Sequence, residues 1–350
     1  MADEEVRPIV TLTQIAKAVG VSNATVSRVL NFDATLSVTA ETRQAVIETA
    51  EALNYATPRN RNRNRASAQG VGKIALAHFL RPEQELVDPY YVALRLGVES
   101  RCHLLKLETV KVYRADDLPA PSLLKAASGV IAIGQHSARE IAWLRQHSRN
   151  LVFADFRPES DELDSVQNDY ASATAKLLDA LAALDYRRIA FAGWVEGSTG
   201  QPFGEPRCRA YLAWMRARGL DGSASCLTER NTEESGYRLG RRLLGEGPRP
   251  DALVTANDNM AVGAYRAAHE LGLRIPEEVA LASFNDISVA KFLNPPLTTV
   301  RLPAEEIGET AVEMLLERIG GRALGKRVTL ASQIIWRASS RRPPSAKTQR

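Results

Sequence analysis

The chain of 350 residues is poor in the groups that build disulfide frameworks, metal centres and many active sites. It has three cysteines, Cys102, Cys208 and Cys226, odd in number and without a CxxC spacing. Neither a disulfide framework nor a zinc site is indicated. Among the five histidines, His78, His103, His136, His147 and His269, no HExxH or other metal-ligating spacing occurs. His78 lies in an apolar run and reads as a satisfied core residue. There is no GxSxG, no P-loop and no GxGxxG after a strand-like run. No nucleophile–base pair suggests itself, so an enzyme is not expected, and neither is a cofactor. No apolar run approaches the roughly 20 residues that span a bilayer, so no membrane partner is expected. The opening MADEEVRPIV is acidic and has no long apolar stretch, so no secretory signal is expected there. A reducing cytoplasm is the simplest setting.

The net charge of +4 acquires meaning only when it is divided. Residues 7–65 hold eight Lys and Arg against four Asp and Glu. Residues 337–350 hold five Lys and Arg and no acid. The body between them is slightly acidic. Positive charge at the N-terminal end suits phosphate binding. The C-terminal RASSRRPPSAKTQR reads as a basic disordered tail, 338–350.

The most informative stretch is 11–31, TLTQIAKAVGVSNATVSRVLN. Its spacing predicts two short helices with a tight turn between them. Thr11 can cap the first, with Gln14 completing a capping box. Gly20 can take the positive φ that ends it. Ser22 can cap the second. Val26, Val29 and Leu30 fall on the inner face of that helix. Asn23, Ala24, Ser27, Arg28 and Asn31 fall on the other. Small and polar residues with one forked cation suit the floor of the DNA major groove. An ordinary helical hairpin with a solvated face has the same spacing. A third helix is predicted from about Ala40 to Asn54, capped by Thr39, with Val46, Ala50 and Leu53 as its buried stripe.

Residues 56–72, ATPRNRNRNRASAQGVG, read as a linker without an apolar face. It is either a charged tether or a segment held on phosphates by Arg59, Arg61, Arg63 and Arg65. From residue 73, apolar strand-like runs alternate with helical stretches. The runs are 73–80, 107–114, 129–134, 150–156, 187–194, 251–258 and 278–286. This alternation implies parallel sheets covered by helices, and its length implies two lobes. Ligands in such sheets bind at the carboxyl ends of the strands. Asp155, Asn257, Asp258, Asn285 and Asp286 stand there, and Arg207 opens a helix. Such groups can hold sugar hydroxyls, although Asp and Asn at strand ends also serve as plain caps. Tyr90, Tyr91, Phe156, Trp194 and Phe203 are the candidate aromatic wall.

AVGVSNATVSRVLN resembles the DNA-reading signature of the LacI/GalR repressor family. VTANDNMAVGAYRAAHELGLRIPEEVALASFND and PPLTTVR resemble its effector domain, and the resemblance runs to about residue 337. It implies an N-terminal three-helix helix–turn–helix DNA-binding domain (1–58) and a hinge (59–72). It also implies a two-lobed α/β effector domain like periplasmic binding proteins (73–337). Lobe 1 is expected over 73–167 and 298–324, and lobe 2 over 168–297 and 325–337. On this reading Asn23, Ala24 and Arg28 meet bases. Thr25, Ser27 and Asn31 are phosphate or supporting contacts, and Thr11, Ser22 and, in the hinge, Arg61 and Arg63 are also expected to bind DNA. The family wedges a hinge leucine into the minor groove. Here Asn64 stands near that place, so arginines are expected to serve there instead.

By the same resemblance Asp155, Arg207, Asn257 and Asn285 hold the effector, and Tyr91 of the candidate aromatic wall is expected to join them. Asn285 stands where many members have Asp, and Asn231 where relatives can have an aromatic wall. DPYYVALRLGVES, DATLSVTAETR and NDISVAKFLNPPLTTVR resemble regulators of galactoside-utilisation operons. The implied partners are double-stranded operator DNA, a galactoside-type sugar and a second copy in a homodimer. The implied function is transcriptional repression released by the sugar. A sugar-binding protein without DNA regulation, or a corepressor-dependent regulator with a non-sugar effector, are the alternatives.

Overall fold

The structure, a computed structural model, describes residues 11–30, 33, 36–53, 72–115, 118, 121–194, 205–220 and 225–340. The chain divides into two compact units, Met1–Val71 and Gly72–Arg350. Among the described residues no helix is long and apolar enough to cross a membrane.

The first unit contains α1 (Leu12–Val19), α2 (Asn23–Leu30) and α3 (Ala40–Ala52). The Thr11 N–H donates to Gln14 Oε1 at 2.7 Å, so half of the capping box is made by the glutamine. Gly20 has φ 76°, and its N–H donates to Ala16 O at 2.9 Å. That ends α1 and lets α2 start at once. The Thr25 N–H then donates to Ser22 Oγ at 3.0 Å. Ile15, Ala16, Val26, Val29, Val46 and Ala50 form the core, with Ile47 against it. Leu53 was expected in that stripe, but it follows the last residue of α3 and is 39% exposed.

The second unit holds two six-stranded sheets. Lobe 1 uses β1 (Lys73–His78), β2 (Glu108–Tyr113), β3 (Gly129–Ile133), β4 (Leu151–Ala154), β5 (Asp164–Asn168) and β11 (Arg327–Leu330). Their order is β11-β5-β4-β3-β1-β2, all parallel. Lobe 2 uses β6 (Ile189–Trp194), β7 (Ser225–Glu229), β8 (Ala252–Thr255), β9 (Ala280–Asn285), β10 (Thr298–Arg301) and β12 (Gln333–Ile335). Their order is β12-β10-β9-β8-β6-β7, parallel except for β12.

Helices cover these sheets. Those used below are α4 (Pro82–Leu86), α5 (Pro89–Leu104), α6 (Ser122–Lys125), α7 (Ala138–His147), α8 (Tyr170–Ala183), α9 (Pro206–Ala217), α10 (Glu233–Gly245), α11 (Asp258–Glu270) and α12 (Ala304–Ile319). In lobe 1, α5 and α12 cross so closely that a Cβ on Gly97 or Gly308 would strike the other helix's backbone. Gly236 and Gly263 do the same for α10 and α11 in lobe 2.

Two expected boundaries move. Thr298–Arg301 pairs with β9 and stays in lobe 2, so the second crossover follows residue 301 rather than 298. Arg327–Leu330 pairs with β5 and belongs to lobe 1, so the final return follows residue 330 rather than 325. Backbone pairing decides membership, and a four-residue run of either edge looks alike in sequence. Residues 338–340, expected in the tail, belong to lobe 2. Ser339 is fully buried. Its N–H donates to Pro296 O at 2.9 Å and its hydroxyl donates to Leu281 O at 2.6 Å. Residues 341–350 lie outside the described residues.

Asp164, at the start of β5, ties the returning chain to lobe 1. It is fully buried. Arg322 Nη2 donates to its Oδ2 at 2.6 Å, Arg318 Nη2 to its Oδ1 at 3.1 Å and the Lys326 N–H to its Oδ1 at 2.7 Å. Burial pushes the carboxyl up, but these donors more than offset it and hold it below the usual range. Asp164→Ala should therefore cost about 3–5 kcal/mol, because two arginines lose their buried partner. Urea unfolding of the two proteins at neutral pH measures it. A folded pKa below the unfolded value places the carboxylate's contribution above about pH 4, and it is lost as pH falls through the lowered value. The gap between wild type and variant should shrink in acid.

Candidate functional site

The two units present two candidate sites. In the first, Ser22, Asn23, Ala24 and Arg28 are exposed and Thr25 and Ser27 half-buried, while Val26 and Val29 are fully buried. The helical period thus separates an outward polar face from an inward apolar one. Asn23 Nδ2 donates to Thr13 Oγ1 at 3.1 Å, which ties the start of α2 to α1. Arg28 Nε donates to Asp33 Oδ2 at 2.7 Å. Asp33 was not expected here; an acid five residues after the arginine is its one sequence signal. Thr11 is exposed at the start of α1. Asn31, Arg59, Arg61, Arg63, Asn64 and Arg65 lie outside the described residues.

In the second unit the centre is Asp155, just past β4. Tyr170 Oη donates to both carboxylate oxygens, at 2.7 and 2.9 Å, and Tyr91 Oη to Oδ2 at 3.2 Å. Asn168 Nδ2 donates to Oδ1 at 3.2 Å and to Tyr90 Oη at 2.7 Å. Burial raises the carboxyl's pKa, and the tyrosine bonds and the Arg207 charge oppose it. Tyr170 opens α8, which packs on α9 of lobe 2, so a lobe-1 carboxylate is bonded from the lobe-2 side.

Arg207 stands in the first turn of α9. Its guanidinium carbon lies 4.6 Å from the centre of the Tyr170 ring, 5.6 Å from Phe284 and 6.0 Å from Trp194. Its Nε donates to Glu205 Oε1 at 2.6 Å. Burial works against its charge, but Glu205, Tyr170 and Asp155 outweigh that and keep it a cation.

Asn285 follows Phe284 at the end of β9 and has φ 107°; Asp155 has φ 61°. Corresponding strand ends in the two lobes thus both carry left-handed, non-glycine backbone, a conformation that concentrates at binding sites. Asn257 caps α11, its Oδ1 accepting from the Met260 N–H at 2.9 Å. Asp258 and Asp286 are structural. Asp258 is fully buried, accepts from Thr299 Oγ1 at 2.8 Å and the Ile287 N–H at 2.9 Å, and is pushed by burial up to about 7. Asp286 pairs with Arg301 and Arg337.

Between the lobes lies an open cleft of about 450 Å³, with Phe79, Asp88 and Val87 on one side and Trp194, Asn231 and Asn259 on the other. Asn259 Nδ2 donates across it to Val87 O at 3.2 Å. Of the five candidate aromatic residues, Trp194 lines it, and Phe79 faces the cleft from lobe 1. Phe156 instead packs on Phe153 in the lobe-1 core, with ring centres 5.8 Å apart. Tyr90 is buried among the hydrogen bonds around Asn168, and Phe203 lies outside the described residues. His78 is buried and its Nδ1 accepts from the Leu80 N–H at 3.1 Å; burial lowers its pKa to about 4, so it is neutral. Sequence reasoning missed Tyr170, Asn168 and Glu205. The polar cluster QNDY at a strand end and the E-x-R spacing were the available signals.

The structure thus brings Tyr91, Asp155 and Arg207 to one place, with Asn285 beside Phe284. Comparison with known proteins places relatives on both units. Residues 11–58 match the model for bacterial regulatory proteins of the lacI family. Residues 178–340 match a periplasmic binding protein-like domain. The HTH-type transcriptional regulator GalR of Lacticaseibacillus casei is 37% identical over 340 residues, 94% of this chain and 99% of that protein. The HTH-type transcriptional repressor MelR of Bacillus subtilis is 34% identical over 336 residues, 95% of this chain and 97% of that one. A lactose operon repressor of Rhizobium radiobacter, 54% identical over 113 residues, covers 32% of this chain and is itself wholly covered. Among solved structures, a complex of the transcriptional regulator CelR with cellobiose covers 95% of this chain and 100% of its own, with TM-score 0.67 and 25% identity.

Proposed function

Given that the chain belongs to the lacI family of bacterial regulatory proteins and is a DNA-binding transcriptional regulator, we propose that it represses a galactoside-utilisation operon and is released by a galactoside bound between its lobes. The observation that carries this reading is the Asp155–Tyr170–Arg207 cluster. It supplies acceptors, donors and a fixed cation within reach of several hydroxyls, and it joins groups from both lobes. Trp194 in the cleft offers an apolar wall for a sugar face. The galactoside is supported by the likeness to the lactose operon repressor, lactose being a galactoside.

On the DNA side, Asn23, Ala24 and Arg28 meet base edges. Thr11, Ser22, Thr25, Ser27 and Asn31 position the helix, and Arg61 and Arg63 hold the linker on phosphates. In the cleft, Tyr91, Asp155, Arg207, Asn257 and Asn285 take the sugar. The working unit is a homodimer, since a two-fold protein matches two half-sites. Exposed Leu96 and Leu104 on α5 are consistent with a covered surface there. Release works by population shift: the sugar must prefer the lobe arrangement that binds DNA less well.

The test is binding of the purified chain to the DNA upstream of its own gene, at fixed salt, with and without a panel of galactosides. One galactoside should release a specific complex. Specific binding that no galactoside alters discards the effector; no sequence preference under any condition discards the repressor.

A further inference from the structure

Lobe 1 holds a second chamber, of about 160 Å³, beside the cleft between the lobes. At the end of β1, His78 lines the chamber and Phe79 the cleft. Past β3, Gln135 lines the cleft and His136 the chamber. Neighbouring residues at each strand end thus serve different spaces. Gly134, with φ 75°, lets the Phe79 ring lie on its Cα, where a Cβ would strike it. Asp155, Arg207 and Trp194 do not line the chamber.

Its size and lining point to a ligand. A cavity of about 150 Å³ holds one six-membered ring, and close-packed interiors leave few voids of that size. Val112 lines it from β2, and Trp143 of α7 gives it a flat apolar face. His136 is 7% exposed, and its Nε2 makes no hydrogen bond. A buried polar atom without a partner is uncommon in a folded protein. Burial lowers the pKa of His136 to about 4 against the pull of Glu140 and of the Ile133 and Ala77 carbonyls, so the ring is neutral. A neutral imidazole has one donor and one acceptor nitrogen, which suits a hydroxyl. His78, by contrast, turns its Nε2 toward Glu85 Oε1, 3.6 Å away. Glu140 Oε2 accepts from the Ser137 N–H and hydroxyl, both at 2.7 Å, while Oε1 lies 3.8 Å from Arg114 Nε. Arg114 and Arg139 are exposed and line the mouth. Two arginines against one glutamate leave the mouth positive.

We propose that this chamber is a second ligand site, separate from the effector cleft, for one hydroxylated six-membered ring carrying a single anionic group, as in a sugar phosphate or a uronic acid. The ring lies on Trp143 with a hydroxyl on His136, and the phosphate or carboxylate sits at the mouth between Arg114 and Arg139. The planar fork of arginine matches either anion. Such a ligand fills the void and partners the buried nitrogen together. A neutral sugar leaves the mouth cations unanswered, and a purely apolar ring leaves His136 unpartnered. The proposal holds whichever sugar occupies the cleft.

The test is calorimetric titration of the full chain at fixed ionic strength. The probes are glucose 6-phosphate, galactose 6-phosphate, glucuronate and galacturonate, with glucose, galactose and inorganic phosphate as comparators. At least one anionic sugar should bind at least tenfold tighter than its neutral counterpart and than inorganic phosphate, the scale of one charge-assisted hydrogen bond. Arg114 borders both spaces, so the diagnostic variants are at Arg139 and His136, which line the chamber and not the cleft. Arg139→Glu should weaken binding at least tenfold, and His136→Phe about fivefold. Arg207→Lys should leave it unchanged, since Arg207 belongs to the effector site. Binding by the phosphates without the uronates, or the reverse, supports the site and identifies its anion. No binding by any of the four overturns the proposal, and so does binding that the neutral sugar or inorganic phosphate matches. Binding that Arg207→Lys abolishes and Arg139→Glu spares places the ligand in the cleft and also overturns it. Should His136→Phe fail to fold, Arg139→Glu, a change at an exposed residue, still decides.

Discussion

Arg207→Ala is expected to abolish the effector response while operator binding persists. A buried, charge-assisted donor is worth about 1.5–3 kcal/mol, so effector affinity should fall roughly ten- to a hundredfold. The structure adds a second cost. Glu205 is almost wholly buried, and Arg207 is its cationic partner. Its Oε2 also accepts from the Arg207 and Cys208 N–H groups, which keeps the end of α9 capped in the variant. Even so, stranding that carboxylate should destabilise lobe 2, by up to about 3–5 kcal/mol.

Arg207→Lys separates the two effects. A lysine keeps a charge for Glu205 but has neither the planar fork nor the face that lies over Tyr170. It should hold most of the stability and still lose most of the effector affinity. Calorimetric titration with the active galactoside and urea unfolding of the same samples measure both. Unchanged affinity in Arg207→Lys would remove Arg207 from the site.

Arg28→Ala is expected to do the opposite: weakened operator preference with effector binding intact. One bidentate base contact is worth about 1–3 kcal/mol of discrimination, roughly five- to a hundredfold between the operator and a site changed at that base pair. Arg28 is exposed and lies outside the apolar core of its unit, so stability should hardly move. Gel-shift titrations on the operator and on single-base variants measure the loss. Preference should relax at one base pair per half-site and persist elsewhere. Uniform weakening across all sequences would instead make Arg28 a phosphate contact.

The DNA-reading unit was legible almost residue by residue. Its structure is local: a cap at Ser22, a positive φ that glycine supplies at Gly20, and apolar residues at helical spacing are all encoded within a few positions of where they act. The central strands of both lobes were legible for a related reason. They are buried on both faces and so appear as unbroken apolar runs. The edge and crossover strands were not. Asp164–Asn168, Ser225–Glu229 and Arg327–Leu330 are polar and short, and they become strands because a neighbour supplies their hydrogen bonds. Asp164 reads as a turn residue until Arg318 and Arg322 arrive from 154 and 158 residues away.

The same division holds for function. The sequence by itself determined the class of protein, because the recognition helix and the strand-and-helix alternation are written in contiguous residues. It also placed Asp155, Arg207 and Asn285 at strand and helix ends, where ligands bind. Only the tertiary structure decided what those residues do. It separated Asp258 and Asp286, whose oxygens are spent inside lobe 2, from Asp155, which is shared between the lobes. It set Tyr170 between Asp155 and Arg207, and it gave Arg28 and Arg207 their carboxylate partners. The physical reason is range. Helix caps and amphipathic periods act over three or four residues, whereas the position of a charge depends on partners that only the folded chain brings within about 3 Å.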